Sequence, residues 1–434
     1  MKVIGIDIGT TSVSSVVIDS EGCTQVASKT LPNDTAIVSE KTWIRQQNAD
    51  RILEKCFSLV KEYKEKWPDI QRIGITGQMH GMLYVDQDGR AVSPLTTWED
   101  ERGNQLQENG KSYVQELKEK TGYPMATGFG LTTHFYNLKN GLVPAEAACI
   151  VSIMDYIALR LCGKARPLMH ASNAASFGLY HLAGKDFDRE ACQKAGIDPS
   201  ILPETTSEEQ FVGTMDDGTE VMIPIGDNQA GIMGLVQDDK DIVINIGTSS
   251  QISMIADSVP EGNDLECRPY VRGKYLLLGA GLCGGTSFAM LNGFLRSVVE
   301  GSGNEVSKDD MFQVMTKAAW EAYEGGADLK VDTKFRGTRS NPAIRGSVTN
   351  ISMTNLTLGG LVLGFYKGVL GELHEAYQKM EPLPDDARLL LCGNALRNND
   401  LLRRLCGEMF GRGTVLSEQR EETATGAARL ALMG

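Results

Sequence analysis

The chain opens on apolar runs with the period of strands. "KVIGIDIG" (2–9), "TSVSSVVID" (11–19) and "CTQVASKT" (23–30) are rich in β-branched residues and joined by short glycine-bearing turns. That pattern predicts a three-stranded antiparallel meander. The period then changes. Residues 43–66, "WIRQQNADRILEKCFSLVKEYKEK", read as a helix, "IQRIGITGQ" (70–78) as a further strand, and "GMLYVDQDGRAV" (81–92) as a hairpin closed at Asp88-Gly89. Helical segments and loops fill the chain to about 200. From Val221 the pattern restarts. "VMIPIGD" is strand-like and "NQAGIMGLV" helical, and "DIVINIG", "SQISMIA" and "KYLLLGAG" are strands again. Helices are predicted over 286–300, 308–323 and 355–379. "ARLLLCG" (387–393) is a buried strand, followed by the helix "NNDLLRRLCGEMF" (398–410).

The restart carries a repeat. "DIGTTS" at 7–12 and "NIGTSS" at 245–250 share their frame, each after an apolar run. Thr11 becomes Ser249 and keeps its hydroxyl, whereas the acid of Asp7 has no counterpart, because Asn245 takes its place. Two α/β halves opening on the same turn predict a duplicated fold with its boundary near 222–228, dividing the chain into 1–226 and 227–434.

Length and composition agree with this picture. A chain of 434 residues exceeds one simple core. A formal net charge of −13 argues against nucleic acid or an anionic membrane as partner, though a local nest of backbone N–H groups can still hold phosphate. There is no run of about 18 apolar residues and no leader pattern, so no membrane span is expected. Nine scattered cysteines without a Cys-x-x-Cys pair fit reduced thiols, and with them a cytoplasmic protein.

The glycine turns suggest a chemistry. Gly lets the backbone approach a ligand, and the following N–H groups and hydroxyls can line an anion-binding concavity. This is no Walker loop, since no Gly-Lys-Ser/Thr follows and the next element is a strand. One such turn is only a hairpin. Two, at equivalent places in two halves, could grip one triphosphate from both sides. The broken match then has a reason. Asp7 can serve a Mg²⁺ ion, whereas an acid at 245 would repel the phosphates.

These residues resemble the FGGY carbohydrate kinases, and the resemblance runs nearly end to end. It rests on the paired turns, on "LLLCGNALRNNDLLRRLCGEMFG" (389–411) as the adenine segment, and on "LCGKARPLMHASNAASFGLY" (161–180) with "ITGQMHGMLY" (75–84). The last two match members acting on a seven-carbon ketose. The resemblance implies two duplicated ribonuclease-H-like (actin/hexokinase-type) α/β domains around a central cleft, sugar on the first and nucleotide on the second. It implies ATP and Mg²⁺ as cofactors, a ketose as substrate, and often a homodimer.

It also assigns roles. Asp227 opens a helix after a buried strand and stands in the Gly-Asp-Asn context of the family's base; an N-cap reading is compatible, and the helix start would lower its basicity. Asp7 and Asp227 become the metal carboxylates. Gln78, Met79, His80, Trp98, Asp100, Arg102, Asn173 and Asn228 fall to the sugar. The nucleotide receives Thr10, Thr11, Ser12, Gly247, Thr248, Ser249, Asn292, Gly393, Asn394 and Asn398. The chain departs from the family at Asn394, where a second Gly is common. Asn292 reads equally as a surface residue. Other readings are kinase chemistry on xylulose, ribulose or a polyol, a non-catalytic actin-like ATPase, and a sugar-binding regulator. The Trp98–Arg102 and Gln78–His80 groups have no purpose in an actin-like ATPase, and the pair Asp7 and Asp227 argues against a regulator.

Overall fold

The computed structural model describes residues 1–260, 265–338, 341, 343–380, 383 and 386–434. Two compact units emerge, 1–235 with 268–275 and 419–434, and 236–267 with 276–418.

The first unit is built on one sheet. Strands β1 (Lys2–Ile8), β2 (Ser12–Asp19) and β3 (Thr24–Pro32) form the expected meander. On the other side of β1 runs β4 (Ile70–Gly77), parallel to it, and then β5 (Glu220–Met222), parallel to β4. The order is therefore β3-β2-β1-β4-β5, with antiparallel strands on one side of β1 and parallel strands on the other. The second unit repeats it. Strand β6 (Ile242–Ile246) pairs antiparallel with β7 (Ser250–Ala256), and β8 (Tyr275–Gly281) lies beyond β7. On the far side of β6, β9 (Leu389–Cys392) and β10 (Thr414–Leu416) run parallel. The order β8-β7-β6-β9-β10 is that of the first sheet, so the repeat in the sequence is a repeat of topology.

Each unit has its own apolar interior. In the first, the faces of β1, β2 and β4 pack on helix α1 (Ala49–Lys66), and a separate core around Tyr84, Phe135 and Phe177 underlies the segment between β4 and β5. In the second, the sheet packs on the long helix α4 (Leu358–Gln378). Among the described residues no helix is long and apolar enough to cross a membrane.

Three local readings need correction. The helix expected from 43 starts at Ala49, because the Asn48 side chain accepts the Arg51 N–H and so caps it. Residues 46–47 instead form a short strand. At 81–92 the hairpin exists only as short pairings of 82–85 with 91–96 around a turn with Gly89 at φ +73°, and the main partner of the strand Leu83–Val85 is Cys149–Val151. The compact units also do not divide at 226/227. Helix α2 (Asp227–Leu235) belongs to the first unit, where it packs on the C-terminal helix α6 (Glu422–Met433).

Candidate active site

Parallel strands of an α/β sheet present their carboxyl ends on one edge, where ligands of such folds bind. Strand register sets the chemistry there. Thr76 of β4 lies beside Asp7 of β1 on one side and Ile225 on the other. Its hydroxyl donates to the Ile225 carbonyl at 2.7 Å, and the Gly226 N–H donates to Ser172 Oγ at 3.2 Å. The strand Ile225–Gly226 is thereby fixed, and Asp227 follows it directly as the first residue of α2.

Asp7 feels the charge of Asp227. Burial is the main reason that Asp7 is pushed up to about 7, with the charges of Asp227 and Glu421 adding to the shift. Asp227 is pushed up to about 6 by burial, against the opposing pull of the Arg268 cation and the Asn228 N–H. The helix start was expected to lower its basicity, but desolvation outweighs that effect. Glu421 and Arg268 had escaped the sequence reading. Both lie far from Asp7 along the chain, and only folding of 268–275 and 419–434 onto the first unit brings them there.

A concentrated negative charge of this kind fits a divalent cation. Among the described residues no three acidic, His or Cys side chains form a metal cage. Mg²⁺ typically takes one or two carboxylates and fills its remaining positions with water and phosphate oxygens, and Asp7 and Asp227 are the carboxylates that could hold it.

Charge concentration has a measurable cost. The folded pKa of Asp7 lies above its ordinary 3.8. Stability therefore falls as pH rises from about 4 to 7, while the unfolded chain loses the proton first, and the deficit persists above that. Asp7→Asn is expected to stabilise the metal-free protein at pH 8 by on the order of 2 kcal/mol, with no gain at pH 4. Thermal unfolding at the two pH values checks this, and an equal effect at both sinks the burial argument.

Beside the acids lies a closed polar lane. Trp98 Nε1 donates to Thr10 Oγ1 at 3.0 Å, and Thr10 Oγ1 donates to Gln78 Oε1 at 3.2 Å. Gln78 Nε2 donates to Gln47 Oε1 at 2.8 Å, and Gln47 Nε2 returns to the Thr10 carbonyl at 2.7 Å. Thr10, expected as a phosphate contact, thus spends its hydroxyl proton joining the glycine turn to the 78–80 loop. Gln47 was not anticipated. Trp98 remains 49% exposed, with an open face for the apolar side of a sugar. Thr11 is exposed and Ser12 half-buried, and the Gly9 N–H closes the turn on the Ser12 carbonyl at 2.8 Å.

Met79 is buried, and its sulfur lies 4.0 Å from an Arg268 Nη1. His80 sits at φ +71°, a backbone conformation that L-residues avoid. It is held there by its Nδ1–H donating to the Ser176 carbonyl at 2.7 Å, and by a stacked Phe129 at 4.7 Å. Strain of this kind recurs at ligand sites.

Other expected contacts have different positions. Asp100 and Arg102 are buried, not open to hydroxyls. Asp100 binds the Arg102 side chain at 2.7 and 3.1 Å and accepts the Arg45 N–H at 2.9 Å, and Arg102 also donates to Asn137. The pair holds the Trp98 loop. Asn173 is fully buried, with its amide directed to the Pro224 carbonyl at 3.2 Å and to Asp155, so it braces the strand that leads to Asp227. Asn228 lies in the first turn of α2.

In the second unit the repeated turn packs on helix α3 (Gly285–Gly301). The Gly285 N–H donates to the Gly247 carbonyl at 2.7 Å, and the Gly284 N–H to Thr248 O at 3.2 Å. A side chain at Gly284 would meet the Ser249 carbonyl at 2.3 Å, so both glycines are needed for this approach. Thr248, Ser249 and Asn394 are exposed next to helix starts, where N–H groups favour anions. Gly393 stands at φ +89° against the Asn245 side chain. Asn398 is exposed at the end of a short helix, and it is Asn399 that caps α5 (Asp400–Phe410). Asn292 is neither at the surface nor at the turn; it is buried and donates to the Lys308 carbonyl at 3.0 Å.

Known proteins share this layout. The model for the N-terminal domain of the FGGY family of carbohydrate kinases matches residues 2–239, and that for the C-terminal domain matches residues 242–434. Mouse sedoheptulokinase is 29% identical over 92% of this chain and 91% of its own length. Xylulose kinase of Staphylococcus xylosus is 23% identical over 100% of this chain and 90% of its own. The structure of xylulose kinase from Rhodospirillum rubrum superposes with a TM-score of 0.85 at 18% identity, covering 100% of this chain and 90% of that one, which speaks for the fold. With both family models matched across nearly its whole length, the chain belongs to the FGGY family of carbohydrate kinases.

Proposed function

We propose that this sugar kinase transfers the γ-phosphoryl group of ATP to the terminal primary hydroxyl of sedoheptulose, giving sedoheptulose 7-phosphate. The observation that carries the chemistry is the placing of Asp7 and Asp227, two carboxylates raised by burial, at the strands that flank β4 on its two sides. Phosphoryl transfer needs a base for the attacking hydroxyl and charge compensation at the phosphates. Asp227 takes the hydroxyl proton. Asp7, with the charge of Asp227 near it, would hold Mg²⁺, which would supply charge compensation at the phosphates. Gln78, Met79, His80 and the Trp98 face receive the sugar. On the second unit the turn Gly247–Ser250, with Gly393 and Asn394, receives the nucleotide, and on the first unit the turn Gly9–Ser12 offers its N–H groups to phosphate.

The choice of ketose is supported by the likeness to sedoheptulokinase. Xylulose kinases and a gluconokinase are also similar, so the test is comparative. ATP consumption across xylulose, ribulose, gluconate, glycerol and sedoheptulose is expected to show the highest kcat/KM for sedoheptulose. A higher value for any of the others overturns the substrate, and no turnover with any overturns the kinase reading. Asp7→Asn is expected to raise the Mg²⁺ requirement while leaving the sugar KM near that of the wild type. Loss of sugar affinity with unchanged Mg²⁺ dependence contradicts the metal role.

A further inference from the structure

Three successive carbonyls of the first glycine turn are held from within its own unit. Asn33 Nδ2 donates to the Gly9 carbonyl at 2.8 Å, Gln47 Nε2 to that of Thr10 at 2.7 Å, and the Asn33 N–H to that of Thr11 at 2.8 Å. A trans peptide sets each carbonyl opposite the next N–H. The held Thr10 carbonyl therefore turns the Thr11 N–H away from Gln47, and the held Gly9 carbonyl turns the Thr10 N–H away from the Asn33 amide. Among the described residues neither N–H donates to a protein acceptor, so both are left for an anion.

Gln47 also grips the sugar side, because its Oε1 accepts Gln78 Nε2 at 2.8 Å. The direction of every bond in this circuit is settled from its two ends. The Trp98 indole can only donate, and the Thr10 carbonyl can only accept. Gln47 must then present Nε2 to the carbonyl and Oε1 to Gln78, and Gln78 must present Oε1 to the Thr10 hydroxyl. That hydroxyl donates to Gln78 and accepts from Trp98. No member can flip alone. Gln47 and Gln78 are buried. The backbone ties the same ends, since Gln46–Gln47 pairs with Leu95–Thr96, two residues before Trp98.

We propose that Gln47 is a positioning residue that couples the two substrates. It joins the phosphate-facing turn and the Gln78 and Trp98 sugar contacts in one circuit, so that sugar seated on Gln78 and Trp98 sets the turn for phosphate. The inference rests on the kinase reading above. Removing one member leaves buried polar partners unmatched, so the circuit responds as a unit.

The test uses the sugar with the highest kcat/KM in the comparison above. Calorimetry measures its affinity with and without a non-hydrolysable ATP analogue and Mg²⁺. In the wild type the analogue is expected to tighten sugar binding on the order of 5- to 150-fold. Gln47→Met keeps the length and removes the donor. The coupling factor is expected to fall to near one, with kcat lowered on the order of 10-fold. Gln47→Glu should match it, since a carboxylate has no proton for the Thr10 carbonyl. Thr10→Val cuts the circuit elsewhere and should show the same loss, whereas Thr10→Ser keeps the hydroxyl and should retain coupling. The double variant of Gln47→Met with Thr10→Val should be no worse than either alone. Additive losses, a wild type without coupling, or a Gln47→Met variant that keeps coupling and kcat while its Tm falls each overturn the proposal. If Gln47→Met does not fold, the Thr10 pair decides: equal coupling in Thr10→Val and Thr10→Ser overturns it. A wild type inactive on every sugar overturns the kinase reading itself, a result distinct from all of these.

Discussion

Asp227→Asn is expected to lower kcat by about 10²–10⁴-fold, the usual contribution of a general base, while sugar and nucleotide binding stay near wild-type values. The substitution keeps size and shape, and the strand that delivers the residue is fixed by bonds that do not involve its carboxylate, Thr76 to Ile225 and Gly226 to Ser172. The site therefore stays assembled, and the substitution removes proton acceptance together with one of the two charges offered to Mg²⁺. With a pKa of about 6, Asp227 is ionised at neutral pH yet basic enough to accept a proton. Activity requires the ionised form, so wild-type kcat/KM should fall as pH drops through about 6. Asp7 titrates nearby, and the limb reports the pair as a unit. Isothermal binding and steady-state kinetics check both halves of the prediction. A variant with near-normal turnover removes Asp227 from the role, and one that has lost sugar binding shows that the residue positions substrate instead.

The duplication was legible because it is local in sequence. The glycine turn between two apolar runs specified the hairpin of β1 and β2, and its second copy at 245–250 announced the second sheet. Asp7 and Asp227 were legible for the same reason, since each ends a short apolar strand. Groups that act across long sequence distances were not. Arg268 and Glu421 act on Asp227 and Asp7 only because two short segments return to the first unit. Gln47 sat inside a stretch whose apolar spacing read as helix, and the Asn48 cap that ends this reading competes on equal terms with other helix residues until geometry decides. Asp100 and Arg102 illustrate the converse. Their spacing is right for recognition, but burial makes them each other's partner. Sequence supplies the types of charge, while depth decides whether a charge faces ligand or protein.

The C-terminal stretch "TATGAARLAL" (423–432) gave no signal, and it holds the site together through residues that have little chemistry. Helix α6 meets α2 at backbone contact. A Cβ added at Gly426 would stand 1.7 Å from the Ala230 carbonyl oxygen, and one at Gly234 would stand 1.8 Å from that of Glu422. The same helix lies on the sheet through Gly5 of β1 and Gly74 of β4, whose added Cβ atoms would meet the carbonyls of Ala424 and Ala427 at 1.9 and 1.8 Å. In every case the obstacle is backbone, which no rotamer change can clear. Because α2 begins at Asp227 and β1 carries Asp7, spreading α6 from either partner would shift the frame of both carboxylates. Gly426→Ala is therefore expected to cost about 3–5 kcal/mol, in the range of severe overpacking, with a fall in Tm on the order of 10 °C. Gly293 provides the internal contrast. It too lies within a helix, but nothing stands within 4 Å of its added Cβ. Gly293→Ala should stabilise by about 0.5–1 kcal/mol through helix propensity and lost unfolded-state freedom. Denaturant unfolding of the two variants measures the difference. If Gly426→Ala unfolds with the wild-type midpoint, backbone contact is not what seats α6, and the placement of the two carboxylates must be credited to the sheet alone.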